Sequence, residues 1–295
     1  MTLEIISRRH AVRTFAAGIT GAAALTRLAS AAESEKPDAP AKLKGNIKQS
    51  VSRWCFGSIP WDEFCKACKD MGIVGVDLVG EGDIPYLEKF GLIPTCFSGF
   101  GSISDGLNRK ENHARCMEAC KKSIALAAKF KAPNVITFSG NRRGQADEEG
   151  LDNCALFLKE ARKIAEDAGV TIVVELLNSK VDHKDYQCDH TAWGAELCKR
   201  VGSPSVKLLY DIYHMQIMEG DVIRTIRQNI QCIGHFHTGG NPGRHEIDDT
   251  QELNYGAICK AIVETGYKGY VAHEFVPAQK DKLASLRQAV QICDV

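Results

Sequence analysis

Short apolar segments alternate with longer amphipathic ones along most of this chain. The apolar segments cover residues 47–54, 75–79, 93–97, 134–138, 171–177, 206–210, 232–237 and 269–275, at lengths typical of strands. Between them lie segments with helical periodicity, at 61–71, 110–130, 148–168, 191–201, 221–230 and 253–265, and a weaker one at 81–91. In 148–168 the apolar side chains Leu151, Cys154, Leu158, Ala161 and Ala165 fall three or four apart, on one helical face. Strand and helix in regular alternation predict a parallel α/β architecture. With eight strands that is a closed (β/α)₈ (TIM) barrel, formed as one domain over residues 46–295. The rival, an open doubly wound sheet, is marked by a glycine-rich phosphate turn after its first strand. That position here reads Trp54-Cys55-Phe56-Gly57-Ser58-Ile59-Pro60 and holds no such turn.

The N-terminus breaks this pattern. Ser7-Arg8-Arg9-His10, an Ala- and Gly-rich apolar run from Phe15 to Leu25 and the small residues Ala29-Ser30-Ala31 have the layout of a cleavable leader. The paired arginines resemble a twin-arginine export signal, which implies a periplasmic destination. The apolar run is too short to span a bilayer, so no stable membrane insertion is expected. Residues 1–31 are therefore read as signal and 32–45 as a polar, flexible linker.

Composition is that of a soluble globular protein, with 44% hydrophobic and 25% charged residues. The chain has 37 basic and 37 acidic side chains. Removing four arginines and one glutamate with the leader leaves 33 and 36, a net charge of −3. Nothing in that balance suits a nucleic-acid partner. The twelve cysteines are even in number, which in an exported chain invites a disulfide reading. Several, including Cys65, Cys68, Cys116, Cys120, Cys154 and Cys259, sit inside apolar patterns and are expected as buried thiols. Cys65-Lys66-Ala67-Cys68 lacks the second pair that a zinc ribbon needs.

Barrel enzymes place their reactive groups at the C-terminal ends of strands. The last four strands end in Glu175, Asp211, His237 and Glu274, one ionisable group each. Such groups are costly among apolar residues unless paired or metal-bound. Three carboxylates and one imidazole form a set suited to one divalent ion, Mn²⁺, Mg²⁺ or Co²⁺ before Zn²⁺. His235 is expected on the opposite side of its strand from His237, and His273 is expected to face a helix. Asn108 and His113 are placed at the pocket mouth, Asn112 as a helix cap, and Trp54 on the pocket wall or in the core.

The run Tyr210-Asp211-Ile212-Tyr213-His214-Met215-Gln216-Ile217-Met218-Glu219-Gly220 resembles the strand-six segment of hydroxypyruvate isomerases. Glu175-x-x-Asn178, Gly234-x-x-His237, Asn254-Tyr255 and His273-Glu274-Phe275 resemble the wider xylose isomerase-like barrels, which include ketose 3-epimerases. The likeness spans most of residues 46–290. It implies a metal-dependent isomerase that moves a proton next to a carbonyl of a small keto acid or ketose through an enediolate. Glu175 and Glu274 would be the acid/base pair and, with Asp211 and His237, the metal ligands. His214, Arg244 and Asn178 would bind substrate. One departure bears on the substrate: hydroxypyruvate isomerases often carry Gln where this chain has His237, and epimerase-like members carry His. The loop from Gly239 to Glu252 also looks remodelled.

Three rival readings use the same barrel. A three-zinc DNA-repair endonuclease needs histidines after strands three and four, where the chain reads Thr95-Cys96-Phe97-Ser98 and Thr137-Phe138-Ser139-Gly140. An epimerase, lyase or dehydratase acting on a keto-sugar or cyclitol would use the same metal and bases. A non-catalytic sugar-binding barrel would follow if the four ligands failed to converge. The expected partner is a small sugar or keto acid, and a homo-oligomer is left open.

Overall fold

The computed structural model describes residues 42–295, so the leader and most of the linker lie outside the described residues. Eight parallel strands close into a barrel in sequence order. They are β1 (Lys48–Ser52), β2 (Gly75–Val79), β3 (Ile93–Phe100), β4 (Asn134–Thr137), β5 (Thr171–Glu175), β6 (Val206–Asp211), β7 (Ile233–Thr238) and β8 (Tyr270–His273). β8 pairs with β1, Gln49 opposite Val271 and Val51 opposite His273, and this closes the ring.

Helices cover the outside: α1 (Trp61–Asp70), α2 (Ile84–Phe90), α3 (His113–Lys129), α4 (Asp147–Ala168) and α5 (Thr191–Val201) follow the first five strands. Strand β6 is followed by two, α6 (Ile212–Met218) and α7 (Val222–Asn229), and α8 (Tyr255–Glu264) and α9 (Lys282–Cys293) complete the ring. The sequence pattern anticipates neither α6 nor α9. The first expected strand is also too long: β1 stops at Ser52, and Trp54 lies in a 3₁₀ turn above it.

Most of the core lies between barrel and helices. Inside the barrel a small apolar layer of Cys96, Ile136, Val173 and Leu209 sits next to buried polar residues from other strands. Strand β3 bulges between Phe97 and Phe100 where it pairs with β4. There Gly99 approaches β4 so closely that a Cβ would stand 1.5 Å from the Ile136 carbonyl oxygen. The twelve cysteines are free thiols, all buried but the half-buried Cys232. No helix among the described residues is long and apolar enough to cross a membrane.

Candidate active site

Glu175 closes β5, Asp211 closes β6, His237 is next to last in β7 and Glu274 follows the last residue of β8. Register puts Asp211 directly opposite His237. All four side chains are buried, and their ligand-type atoms lie within 4.8 Å of one another. Asp211 also shapes the backbone that follows it. Its Oδ1 accepts from the His214 amide at 3.1 Å and so caps α6. The spacing Asp211-x-x-His214 therefore starts a helix and also aims both side chains at the barrel mouth.

Beneath this cluster lies a carboxylate that the sequence pattern did not single out. Asp77 in β2 is fully buried, and its Oδ2 lies 2.9 Å from both His235 Nε2 and His237 Nε2. Its Oδ1 accepts from the Thr95 hydroxyl at 2.5 Å. The expectation that His235 and His237 face opposite ways is thereby overturned. Strand side chains alternate with period two, so residues two apart share a face, here the barrel interior. A charged residue within Gly75-Val76-Asp77-Leu78-Val79 was the available signal.

The donor set can be tested for a metal on these contacts. With Nε2 directed at Asp77, His237 turns Nδ1 toward Glu274 Oε2 at 2.5 Å, Glu175 Oε1 at 3.3 Å and Asp211 Oδ2 at 4.0 Å. None of these is aligned for a hydrogen bond, so Nδ1 meets the carboxylates by charge alone and is a buried nitrogen without a hydrogen-bond partner. A histidine whose far nitrogen is held by a carboxylate is the usual arrangement of a metal ligand. Three carboxylate oxygens around that nitrogen are hard donors, and the residues fit a divalent cation.

The electrostatics reflect this crowding. Burial, with the nearby Glu274 charge, raises the Glu175 carboxyl to about 7. Burial also raises Asp211, against the opposing pull of Arg244. For Glu274 burial is outweighed by the charges of His237 and Arg244, which hold its carboxyl low. Burial would lower His237, but Glu274 and Asp77 raise it well above the usual imidazole range.

Arg244, in the loop after β7, reaches the same carboxylates, with Nη2 2.7 Å from Asp211 Oδ2 and 2.5 Å from Glu274 Oε2. Its backbone is left-handed, with φ 57°. Tyr255 steadies the start of this loop: its hydroxyl accepts from the Gly239 amide at 2.8 Å and donates to the Gly239 carbonyl at 2.7 Å. Asn254 caps α8 through the Ala257 amide at 3.0 Å.

Above the cluster opens a cavity of about 370 Å³. Its polar lining comes from Glu175, Glu274, His214, Arg244 and His183, and its apolar lining from Leu78, Ile103, Ile136, Phe138 and Leu177. Trp54 is on the wall, half exposed at 53%, and donates Nε1–H to Glu274 Oε1 at 2.6 Å. Burial lowers the His183 imidazole. Nothing in the loop sequence Val181-Asp182-His183-Lys184 singles that residue out.

Other expected positions fall elsewhere. Asn178 is fully buried behind His214, away from the cavity lining. Asn108 and His113 also lie off the cavity: Asn108 bonds the Asn141 carbonyl and Gln187, and His113 the Leu107 carbonyl. Asn112 occupies the N-cap position of α3, but its side chain bonds the Gly106 carbonyl instead. His273 faces away from the cavity, between Gln49 at 2.8 Å and Thr238 at 3.1 Å, and Gln49 in turn bonds Val290 of α9.

Among solved structures the barrel is similar to AP endonuclease, family 2 from Brucella melitensis, with a TM-score of 0.74 at 23% identity, covering 81% of this chain and 97% of that one. At that identity the likeness is one of fold. The 2-oxo-tetronate isomerase of Cupriavidus necator is 37% identical over 127 residues, 43% of this chain and 46% of that protein. The hydroxypyruvate isomerase of Escherichia coli is 38% identical over 105 residues, 35% of this chain and 40% of that protein. The chain spans about half the length of the curated relatives it matches. A longer match, over residues 85–292, settles its place: this chain belongs to the xylose isomerase-like TIM barrel family.

Proposed function

We propose that this protein is a metal-dependent isomerase of small hydroxy-keto acids, acting by proton transfer next to a carbonyl. The observation that carries the reading is the meeting of Glu175, Asp211, His237 and Glu274, with His237 Nδ1 buried among the carboxylates and without an aligned hydrogen bond. Similarity to isomerases of hydroxypyruvate and 2-oxo-tetronate supports the substrate class. The four residues would hold one divalent ion, Mn²⁺, Mg²⁺ or Co²⁺ by the predominance of oxygen donors. When bound, such an ion supplies Lewis-acid polarisation of the substrate oxygens.

The remaining work falls to the chain. Proton transfer needs a base at the reacting carbon, and the Glu175 carboxylate, buried and on the cavity wall, is placed to serve. Glu175 takes the proton from the carbon beside the carbonyl and passes it to the former carbonyl oxygen, while Glu274, ionised at rest, takes the substrate hydroxyl proton and returns it at the neighbouring carbon. Arg244 and His214, both on the cavity wall, bind substrate oxygens. The apolar lining, with Leu78, Phe138 and Leu177, keeps water from the intermediate.

A second reading, epimerisation of a keto-sugar, is favoured by one residue, His237 in the place where hydroxypyruvate isomerases often carry Gln. The twin-arginine-like leader adds the proposal that the enzyme is exported.

The deciding experiment incubates the Mn²⁺-loaded protein in D₂O with hydroxypyruvate, a 2-oxo-tetronate, ketoses and keto-cyclitols. Deuterium entry beside the carbonyl with aldehyde formation from a keto acid supports the isomerase. Deuterium entry with inversion of a ketose supports the epimerase. Binding without any exchange would leave a sugar-binding barrel.

A further inference from the structure

Asn178 fills every hydrogen-bonding capacity it has. Its Oδ1 accepts from the backbone amides of Val181 at 3.0 Å and Asp182 at 2.9 Å. Backbone N–H groups only donate, so this atom is the amide oxygen and the orientation of the side chain is fixed. The nitrogen Nδ2 then donates one hydrogen to Asp182 Oδ2 at 2.7 Å. Its other hydrogen faces His214 Nδ1 at 2.6 Å. Asp182 is itself held by the Tyr213 hydroxyl at 2.8 Å. An N–H directed at a ring nitrogen at that distance requires a lone pair there. In a neutral imidazole the proton must then sit on the other nitrogen, Nε2.

His214 Nε2 lies 2.5 Å from Arg244 Nη1. A guanidinium has no acceptor, so Nε2–H and the Arg244 N–H are two donors aimed into the same space. The alternative, Arg244 donating to a bare Nε2, would put a proton on Nδ1 against the Asn178 N–H. Asn178 cannot turn to relieve it, because the Val181 and Asp182 amides hold its oxygen. Asp211 Oδ2 takes the Arg244 Nη2–H at 2.7 Å and lies 3.7 Å from His214 Nε2, beyond hydrogen-bond reach, so the Nε2–H and Nη1–H donors lack a shared acceptor.

We infer that Asn178 is a positioning residue that holds His214 as the neutral Nε2–H tautomer, so that His214 and Arg244 together clamp one substrate oxygen. That oxygen is a carbonyl or carboxylate oxygen next to the reacting carbon. Preorganised donors of this kind act most strongly on charge that develops in the transition state. The clamp rests on the isomerase reading above, and the tautomer does not.

The test uses full-length protein with ¹⁵N-labelled histidine, loaded with diamagnetic Mg²⁺. Two-bond ¹H–¹⁵N spectra report the protonation of each ring nitrogen, and His214 is identified among the nine histidines by its loss in His214→Gln. The wild type should show a bare Nδ1 and a protonated Nε2, and Asn178→Ala should lose that single tautomer. A wild-type His214 protonated on Nδ1, alone or with Nε2, overturns the inference whatever the enzyme turns over.

Turnover tests the clamp. The Gln side chain brings an N–H to the place of Nε2–H, and the Asn side chain reaches only the place of Nδ1. Removal of one such donor costs about 10²–10³ in kcat, so His214→Asn should lose that much and His214→Gln about tenfold less. Asn178→Ala should lower kcat rather than raise KM. Equal losses in His214→Gln and His214→Asn would overturn the clamp. Failure of every substrate would sink the isomerase reading and leave the tautomer result standing.

Discussion

Replacing Asp77 by Asn asks how much of the ligand cluster is set from below. In the native protein Asp77 Oδ2 serves two imidazole nitrogens at 2.9 Å each, and Oδ1 accepts from the Thr95 hydroxyl at 2.5 Å. An amide of the same shape can keep all three contacts. Its oxygen turns to the imidazoles and its NH₂ to Thr95, whose hydroxyl can accept. Charge alone is lost. Hydrogen bonds to charged groups contribute about 1.5–3 kcal/mol and neutral ones about 1 kcal/mol, so each imidazole contact should weaken by roughly 0.5–2 kcal/mol. The two together should cost about 1–4 kcal/mol of stability in urea denaturation. Only the His237 contact bears on metal. Loss of such a partner typically lowers metal affinity ~10–100-fold, or about 1.4–2.7 kcal/mol. That overlaps the range for one contact. Calorimetric titration with Mn²⁺ reads this directly, without substrate. A folded Asp77→Asn protein that binds Mn²⁺ within about twofold of wild type would show that Asp77 does not tune the ligand.

Further outcomes follow from the same geometry. At saturating metal, Glu175→Gln and Glu274→Gln should each lose ~10²–10⁴-fold in turnover, and Asp211→Asn should lose less. Equal losses in all three variants would contradict the separate roles. Metal must displace protons from His237, whose proton affinity is raised, and from Glu175, which titrates at about 7. Apparent affinity should therefore rise with pH, most steeply below about 7. The heat of binding at pH 6.5 should vary with the buffer's ionisation enthalpy, and a buffer-independent heat would count against this ligand set. Gly99→Ala must force β3 from β4, because the new methyl would sit 1.5 Å from the Ile136 oxygen. Overpacking of this kind costs about 1–3 kcal/mol or more, so an unchanged melting temperature would mean that the bulge can relax.

The barrel and the convergence of Glu175, Asp211, His237 and Glu274 were legible because each depends on local information. Strand and helix periods differ, and a carboxylate at the end of an apolar run stands out in a linear sequence. Asp77 is also a carboxylate in an apolar run, but it lies in the middle of β2 and stands alone there, whereas the last four strands carry one ionisable group after another at their ends. Its importance comes from contacts with His235 and His237, which are remote in the chain and meet only once the barrel closes. Helix α6 was hidden because the Asp211 side chain ends one element and caps the next without a break. The role of Asn178 needed coordinates for another reason: its sequence neighbours give no sign that its amide would be pinned by the Val181 and Asp182 backbone.

Trp54 adds an optical consequence. Of the three tryptophans, Trp61 stacks on Tyr86 with centroids 5.1 Å apart, and Trp193 donates to the Asp147 carbonyl at 3.3 Å, both outside the cavity lining. Trp54 alone donates to a carboxylate of the quartet, Glu274 Oε1 at 2.6 Å, with its ring half exposed on the cavity wall. Indole emission responds to the charge and polarity beside the ring. Anything that draws electron density from Glu274 or displaces water from the wall therefore changes the colour or yield of this one fluorophore. The barrel carries its own dye at its mouth, and compounds can be ranked by the light of Trp54 before a reaction for any of them is known.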